Sequence, residues 1–397
     1  MKKSWVVFLM AALLCGAVGA QSARRMQVVR VPLPRNAKAI APRVAPGPNN
    51  KIYATWAQRN GSGFDVMVSC TLADGESWSK PLRVSDERGA AWAGHGEGPS
   101  LVVDRLGYVY LSWTDGRKGK SVLFSRSGAD VAENMTKPVR VSDADASQCF
   151  QSLAVDERGT IFVSWLDERS GTPAIYLASS KDGARFDAVE ASRGFPGVPC
   201  DCCRTSLSAD GGRLWLAFRN NVNNLRDVYV AWSDDGARTF NYPTEVSPDR
   251  WKTASCPMSG PAVAVASKGQ PLVFWWTASS LMGAPQLLLA RSNDGGRGFG
   301  RPLTAMRPSA TNNHPALAAR GLDVVMAWED TVGGRPVVRA QASDDGGLSF
   351  YPLKLGKDGE TAVGRFPAVA LDAAGKPIVA WNNEDETEIL VAFPPRD

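Results

Sequence analysis

The segment YVYLSW at residues 108–113 decides the fold, because similar apolar runs ending in an aromatic residue recur along the chain. Each run is short and rich in β-branched and aromatic residues, which is typical of a buried strand. The final aromatic residues are 57, 52, 53, 57, 53 and 53 positions apart. They are Trp56, Trp113, Trp165, Phe218, Trp275, Trp328 and Trp381. Such a regular period predicts an array of supersecondary units.

Three further strands accompany each run. A first strand such as LVVD at 101–104 precedes it across a glycine-containing turn, which predicts a hairpin. A third strand such as SVLFS at 121–125 follows, and six repeats add a fourth, such as KPLRV at 80–84. The seventh repeat stops at its third strand, and QVVRV at 27–31 supplies the missing one. We therefore predict an all-β, seven-bladed β-propeller of four-stranded blades, with the last blade closed by the N-terminal strand.

The N-terminus predicts export. Lys2 and Lys3 precede an apolar run at 5–14 that is too short to span a bilayer. Val18-Gly19-Ala20 then fits the cleavage rule of a signal peptide. We expect a signal peptide at 1–20 and a single propeller domain at 21–397, located in the periplasm or secreted. Lipidation at Cys15 is the alternative, although Leu14 is a poor residue before a lipidated cysteine.

Charge argues against a nucleic-acid partner. The formal net charge is +5, and it becomes +3 when Lys2 and Lys3 are removed with the signal peptide. Charges of both signs alternate along the chain without a basic block, unlike the clustered basic surfaces of nucleic-acid-binding domains. No further stretch is apolar enough to predict a membrane span. We expect a monomer.

A second motif recurs between the third and fourth strands. It reads SDDGARTF at 233–240, SNDGGRGF at 292–299 and SDDGGLSF at 343–350, with weaker copies at 71–78 and 180–186. This motif resembles the Asp-box, or BNR repeat, of the sialidase-like superfamily, and the repeats cover nearly all of the mature chain. Because Ser and Asp can hydrogen-bond the backbone of a tight turn, we interpret Asp235, Asp294 and Asp345 as structural. The resemblance implies that these turns lie opposite the ligand-binding mouth.

Reactive side chains concentrate in the loops predicted at the other face. The loops before the first strands hold both histidines and five of the six mature cysteines, together with Glu97, Arg204 and Arg365. The histidines and cysteines of this set are His95, Cys149, Cys200, Cys202, Cys203, Cys256 and His314. The loops between second and third strands add Asp115, Arg117, Asp167, Arg169, Arg219, Glu329, Asp330 and Glu384. One mouth of the propeller is therefore expected to carry the chemistry.

Glycoside hydrolysis of the exo-sialidase type is one function that the resemblance implies. It needs arginines that hold a carboxylate, a tyrosine nucleophile paired with a glutamate, and an acidic proton donor. Arg43 is the nearest match to the family's arginine, and the other catalytic candidates are Asp167, Glu329 and Arg365. Every tyrosine lies in a predicted strand, so the nucleophile is missing from the mouth loops.

The cysteines leave two alternatives open. The Cys200–Cys203 cluster, with Cys256 or Cys149 and a histidine, His95 or His314, could bind copper or zinc or serve as a redox centre. Alternatively, one or two disulfides join the cluster to Cys256 or Cys149, as is common in exported proteins. Adjacent Cys202 and Cys203 are not expected to pair with each other.

Ligand binding without chemistry is the interpretation that we favour. The mouth would recognise a glycan, another small ligand or a protein partner through Arg117, Arg169, Arg204, Trp92 and Trp251. Tryptophan rings can stack on a sugar, and arginines can hold an anionic group. Fold alone does not decide between these functions.

Overall fold

The computed structural model describes residues 22–395, except 73–74, 76, 95, 118, 129–133, 143, 307–313 and 357–360. The predicted signal peptide, Cys15 and His95 lie outside the described residues. The described residues form an all-β structure, with two single-turn 3-10 helices at Ser267–Gly269 and Ser280–Met282. Within these ranges, no helix is long and apolar enough to cross a membrane.

The first half of the chain forms three four-strand units after two N-terminal strands, β1 (Arg24–Arg25) and β2 (Gln27–Val31). The first unit contains β3 (Ala39–Pro46), β4 (Lys51–Asn60), β5 (Gly63–Leu72) and β6 (Leu82–Arg83). After β7 (Ala91–Trp92) come β8 (Ser100–Val103), β9 (Val109–Asp115), β10 (Ser121–Arg126) and β11 (Val139–Arg140). The third unit contains β12 (Gln148–Val155), β13 (Ile161–Asp167), β14 (Ala174–Ser180) and β15 (Asp187–Glu190).

The second half repeats the pattern. After β16 (Val198–Pro199) come β17 (Ser206–Asp210), β18 (Arg213–Asn221), β19 (Val228–Ser233) and β20 (Thr244–Glu245). Next are β21 (Ala262–Ala266), β22 (Gln270–Thr277), β23 (Gln286–Arg291) and β24 (Leu303–Met306). They are followed by β25 (Ala316–Arg320), β26 (Asp323–Val332), β27 (Arg335–Ser343) and β28 (Tyr351–Lys354). The last strands are β29 (Arg365–Leu371), β30 (Pro377–Asn382) and β31 (Ile389–Phe393).

Within each unit, consecutive strands pair antiparallel. The last three strands take their fourth partner from the N-terminus, because β2 pairs with β31 from Gln27 opposite Phe393 to Val31 opposite Ile389. Strand β7 joins the first two units into one nine-stranded sheet, and β1 adds to β28 in parallel. No sheet closes on itself among the described strands.

The repeated aromatic residue joins neighbouring units. All seven of these side chains are at most 1% exposed. Trp113 packs in a cluster with Tyr53 and Val66 of the preceding unit. Trp56, in the first unit, packs instead with Ala368 and other residues of the last unit. The sequence prediction that this residue serves packing is therefore confirmed.

The first strands of successive units lie side by side. In the series β3, β8, β12, β17, β21, β25 and β29, each strand contacts the next, and the last strand, β29, contacts the first, β3. In antiparallel units of this order, one end carries the turns between third and fourth strands. The opposite end carries the loops before each first strand, so the two groups of motifs are separated.

Hydrogen bonds within the repeated Ser-x-Asp-Gly motif explain its sequence. Ser233 Oγ donates to Asp235 Oδ1 at 2.7 Å and accepts from Ala237 N at 2.9 Å. Asp235 Oδ1 also accepts from the backbone N–H groups of Arg238 and Thr239, both at 3.0 Å. The same pattern recurs around Asp294 and Asp345. These aspartates are occupied by turn formation, as the sequence indicated.

We predict that Trp56→Ala lowers the free energy of unfolding by about 3–5 kcal/mol, because it removes a fully buried ring between the first and last units. Guanidinium denaturation measures this loss. The matched control is Trp92→Ala, whose ring is 39% exposed and should contribute far less. A loss below about 1 kcal/mol for Trp56→Ala would contradict this packing role.

The hydrogen bonds around Asp235 also predict that the stability of the fold depends on pH. Slight burial opposes ionisation of Asp235, but hydrogen bonds from Thr239, Ser233 and Arg238 outweigh it and lower its pKa to about 2. A lowered folded-state pKa stabilises the fold above the ordinary value of about 4, and this contribution disappears as pH falls through about 2. We expect the stability difference between the wild type and Asp235→Asn to shrink over that window in urea titrations. A difference that is independent of pH would refute the assignment.

Candidate functional site

The first strands surround a cavity of about 270 Å³. Each of β3, β8, β12, β17, β21, β25 and β29 contributes at least one lining residue. Near the loops that precede the first strands, the lining residues are Arg43, Gly96, Ser100, Arg204, Met258 and His314. The cavity therefore lies on the axis of the strand array, beneath the loops in which the sequence concentrates reactive residues.

The first strands are bent near the mouth of this cavity. Ala41, Phe150 and Phe366 have φ between 52° and 55°, and the pairing register shifts at each position. Their N–H groups are bound by side chains from adjacent segments: Ala41 by Asn382 Oδ1 at 3.2 Å, Phe150 by Glu97 Oε1 at 2.8 Å and Phe366 by Glu329 Oε1 at 2.6 Å. Glu97 and Glu329 thus hold the backbone bulges that shape the mouth.

Two arginines line the cavity without forming an ion pair. Arg204 is held in place by Nε, which donates to Gln151 O at 2.8 Å, and by Nη2, which donates to Ser100 Oγ at 2.5 Å. Arg43 Nη1 donates to Pro42 O at 2.8 Å. Among the described residues, no carboxylate lies within ion-pair distance of either guanidinium group. Within the described residues, neither guanidinium group is therefore neutralised by a contact ion pair, although the charge of Glu97 acts on Arg204.

The pKa values of these arginines reflect this environment. Burial lowers the pKa of Arg43 well below its ordinary value, and the charge of Arg204 lowers it further. Burial lowers the pKa of Arg204 to about 10, opposed by the charge of Glu97. Burial also raises the pKa of Glu97. Burial therefore disfavours the charged form of both arginines, and a bound anion would favour it.

His314 forms one wall of the mouth. Its Nδ1 lies 2.8 Å from Glu329 Oε1. Since that oxygen also accepts from Phe366 N, we assign the proton to Nδ1 and the lone pair to Nε2. The other ring edge faces Gly96, where a Cβ atom would lie 2.6 Å from Cδ2 and 2.9 Å from Nε2. Gly96 is thus required for the close approach of this imidazole. No sequence pattern indicated that these two residues contact each other.

The two Trp-x-Asp-x-Arg motifs form local ion pairs. Arg169 Nη2 contacts Asp167 Oδ2 at 2.8 Å, and its guanidinium stacks on Tyr176. Burial opposes ionisation of Asp167, but hydrogen bonds from Arg169 and Trp165 outweigh it and lower the pKa of this carboxyl. Arg117 pairs in the same way with Asp115, at 2.5 Å. In each motif the aspartate lies at a strand end rather than in a loop, because the second strand extends past the aromatic residue.

The remaining candidates lie away from the cavity wall. Trp251 is 8% exposed and packs edge-on against Trp276, while its ring also faces the Arg219 guanidinium. Trp92 is exposed, with Lys120 over its ring. Arg365 is exposed in β29. A buried tryptophan ring cannot stack on a sugar unless the loop rearranges. The sequence did not reveal this burial, because an apolar loop residue can pack inward or face solvent.

None of the seven tyrosines lines the cavity, although all seven are described. Tyr53, Tyr110 and Tyr351 are buried within the sheets, and Tyr242 is exposed. Sialidase-type hydrolysis needs a tyrosine nucleophile, and none of the described tyrosines lines this cavity. The sequence assigned every tyrosine to a strand, but Tyr108 and Tyr242 lie outside the strands of the structure.

Four of the five cysteines predicted for the mouth loops lie in loops before first strands, whereas Cys149 lies within β12. A disulfide joins Cys202 to Cys256, with 6.2 Å between their Cα atoms, whereas Cys149, Cys200 and Cys203 have free thiols. Cys200 Sγ lies 3.2 Å from Cys203 Sγ. The sulfurs of Cys200, Cys202 and Cys203 are close enough together to share a metal ion. With Cys202 in a disulfide, two thiols remain there, fewer than the four ligands of a structural zinc site.

Comparisons with known proteins show the fold. No family of known proteins matches the sequence, and no curated protein does either. An ulvan lyase of polysaccharide lyase family 25 has a TM-score of 0.57 at 12% identity, over 89% of this chain and 93% of that one. An α-L-arabinanase from Penicillium chrysogenum has 0.52 at 13%, over 89% and 92%. A protein of unknown function from Dyadobacter fermentans has 0.53 at 16%, over 92% and 97%. The chain is therefore similar in fold to β-propeller proteins, among them enzymes that process glycans.

Proposed function

We propose that the cavity mouth binds an anionic glycan unit, with Arg43 and Arg204 pairing with its acidic group. The observation that carries this proposal is the pair of cavity-lining guanidinium groups without a carboxylate partner in the described residues. A guanidinium group binds a carboxylate or sulfate through two parallel hydrogen bonds. Such bonds are stronger in a partly desolvated cavity than on an open surface.

The size of the cavity limits the ligand. Small-molecule sites commonly have volumes of about 300–1,000 Å³, and this cavity of about 270 Å³ lies below that range. One acidic sugar unit is therefore the expected occupant, while any further units would extend over the loops towards Trp92. Fold similarity supports testing acidic saccharides first, because one similar ulvan lyase structure is described as bound to a GlcA- and Rha3S-containing saccharide.

The proposal concerns binding and does not include sialidase-type hydrolysis. Asp167 is engaged by Arg169, and Glu329 holds the Phe366 bulge and His314. Neither carboxylate is thereby left as an uncommitted proton donor. The absence of a tyrosine from the cavity wall argues in the same direction.

We also propose that the four-strand units are seven blades in a ring, which β2 completes as the fourth strand of the last blade. Contacts between β29 and β3 and the packing of Trp56 on the last unit support this closure. Residues 1–20 act as an export signal, so that the single domain meets its glycan in the periplasm or outside the cell.

We predict that Arg43→Met and Arg204→Met each weaken binding of a glucuronate- or sialate-terminated disaccharide at least about tenfold, since each loses a charge-assisted bond of about 1.5–3 kcal/mol. Titration calorimetry measures the loss. Arg117→Met is the control, because Arg117 pairs with Asp115 and Glu87 away from the cavity wall. Equal binding by the two cavity variants and the wild type, or no binding by any acidic disaccharide, would refute the proposal.

Stability distinguishes loss of binding from loss of folding. Arg43 carries a half-buried, unpaired charge that Arg204 repels, so Arg43→Met should leave the free energy of unfolding unchanged or raise it. A variant that is both unstable and unable to bind would point instead to a structural role for Arg43.

We also predict that Gly96→Ala lowers stability by about 1–3 kcal/mol, because φ is 80° there and the new Cβ collides with His314. His314→Ala should relieve the collision but not the backbone strain, which gives a favourable coupling in a double-mutant cycle. Strictly additive losses in urea denaturation would show that the glycine and the imidazole do not contact each other.

A further inference from the structure

Four cysteines from two neighbouring segments meet beside the cavity mouth. Cys200, Cys202 and Cys203 lie between β16 and β17, and Cys256 lies between β20 and β21. Cys202 and Cys256 form the disulfide, while Cys200 and Cys203 are thiols. Cys200 Sγ is 3.2 Å from Cys203 Sγ and 3.6 Å from Cys202 Sγ. A dithiol therefore lies within contact distance of a disulfide sulfur.

The surroundings of Cys200 favour its thiolate. Arg226 Nη1 donates to Cys200 Sγ at 2.9 Å. The hydrogen bond from Cys203, together with the charges of Arg219 and Arg226, lowers the pKa of Cys200 to about 6. Burial raises the pKa of Cys203 well above its ordinary value. At neutral pH the pair therefore contains one nucleophilic thiolate and one thiol that retains its proton.

The four sulfurs differ in their access to solvent. Cys200 and Cys203 are each 1% exposed, whereas Cys256 is an exposed residue. A reagent in solution therefore meets Cys256 first, and the dithiol lies beneath the disulfide. This arrangement distinguishes the cluster from a set of surface thiols, which would all react directly.

We propose that these four cysteines form a thiol–disulfide exchange centre that transfers reducing equivalents from the buried Cys200–Cys203 dithiol to Cys256 at the surface. Its substrates are low-molecular-weight disulfides and thiols that reach Cys256. Among the described cysteines, the cluster is the set in which a thiolate, a second thiol and a disulfide lie within contact distance.

The exchange balances without an external oxidant or reductant. First, the Cys200 thiolate attacks Cys202 Sγ, a Cys200–Cys202 bond forms, and Cys256 leaves with the electron pair of the broken disulfide. Next, Cys203 passes its proton to the Cys256 thiolate through solvent and attacks Cys200 Sγ. The Cys200–Cys203 bond forms, and Cys202 leaves as the thiolate. The net result is a buried Cys200–Cys203 disulfide and a reduced Cys256 thiol at the surface.

The exchange also changes a tie between two segments at the mouth. Cys202 and Cys256 each precede a cavity-lining residue by two positions, Arg204 in one segment and Met258 in the other. The disulfide links these segments covalently, whereas the inner Cys200–Cys203 bond lies within one of them. Exchange therefore removes the cross-link nearest the cavity without breaking the fold elsewhere.

Trapping with N-ethylmaleimide tests the proposal on the full-length mature protein. The native protein is incubated with the reagent for hours, the timescale of uncatalysed disulfide rearrangement, then acid-quenched and mapped by mass spectrometry. In the wild type we expect labelled Cys256 together with a Cys200–Cys203 disulfide. Cys203→Ser should give labelled Cys256 with a Cys200–Cys202 disulfide, because only the first step can occur.

Cys200→Ser is the decisive variant, since it keeps the Cys202–Cys256 disulfide but lacks the attacking thiolate. We expect its Cys256 labelling to be at least about tenfold slower than in the wild type. Cys70→Ser, on β5 away from the cluster, should match the wild type, and near-UV circular dichroism checks that each variant is folded. Unlabelled Cys256 in the wild type, or equal labelling in Cys200→Ser, would overturn the proposal.

Discussion

One large aromatic side chain packs between each pair of neighbouring units. The other features of the structure require this packing. A four-stranded sheet has two faces and can bury both only against its neighbours. The indole or phenyl ring at the end of each second strand fills that interface, and each is at most 1% exposed. Trp56 extends the pattern to the last unit, which brings the two ends of the chain into one core. The axial cavity exists because these interfaces hold seven first strands side by side.

This architecture places the turn motifs and the cavity mouth at opposite ends of the strands. At one end, the carboxylates of the repeated Ser-x-Asp-Gly motif accept hydrogen bonds from the turn backbone. At the other, Glu97 and Glu329 bind the N–H groups of backbone bulges, and the bulges shape the mouth around Arg43, Arg204 and His314. Among the described residues, neither of these two arginines has an ion-pair partner. An unpaired buried charge reduces stability, and functional sites are where proteins tolerate that loss.

Much of the fold could be predicted from the sequence, because the pattern repeats. The aromatic period identified the second strands, and the incomplete seventh repeat indicated that residues 27–31 pair with the C-terminal strand, as observed. The site was less predictable. The sequence placed Arg204, His314 and the cysteine cluster near one mouth but could not show that Trp251 is buried. It also gave no signal that Gly96 contacts His314, since both depend on how separate loops pack.

We propose that Arg43 and Arg204 form an anion site that the protein itself leaves open. Bromide soaking of crystals tests it most directly, because the ion scatters anomalously and binds wherever positive charge lacks a partner. We expect an anomalous peak in contact with both guanidinium groups, and its disappearance in Arg43→Met. A cavity without the peak, or a carboxylate of the same chain bound to both arginines, would contradict it.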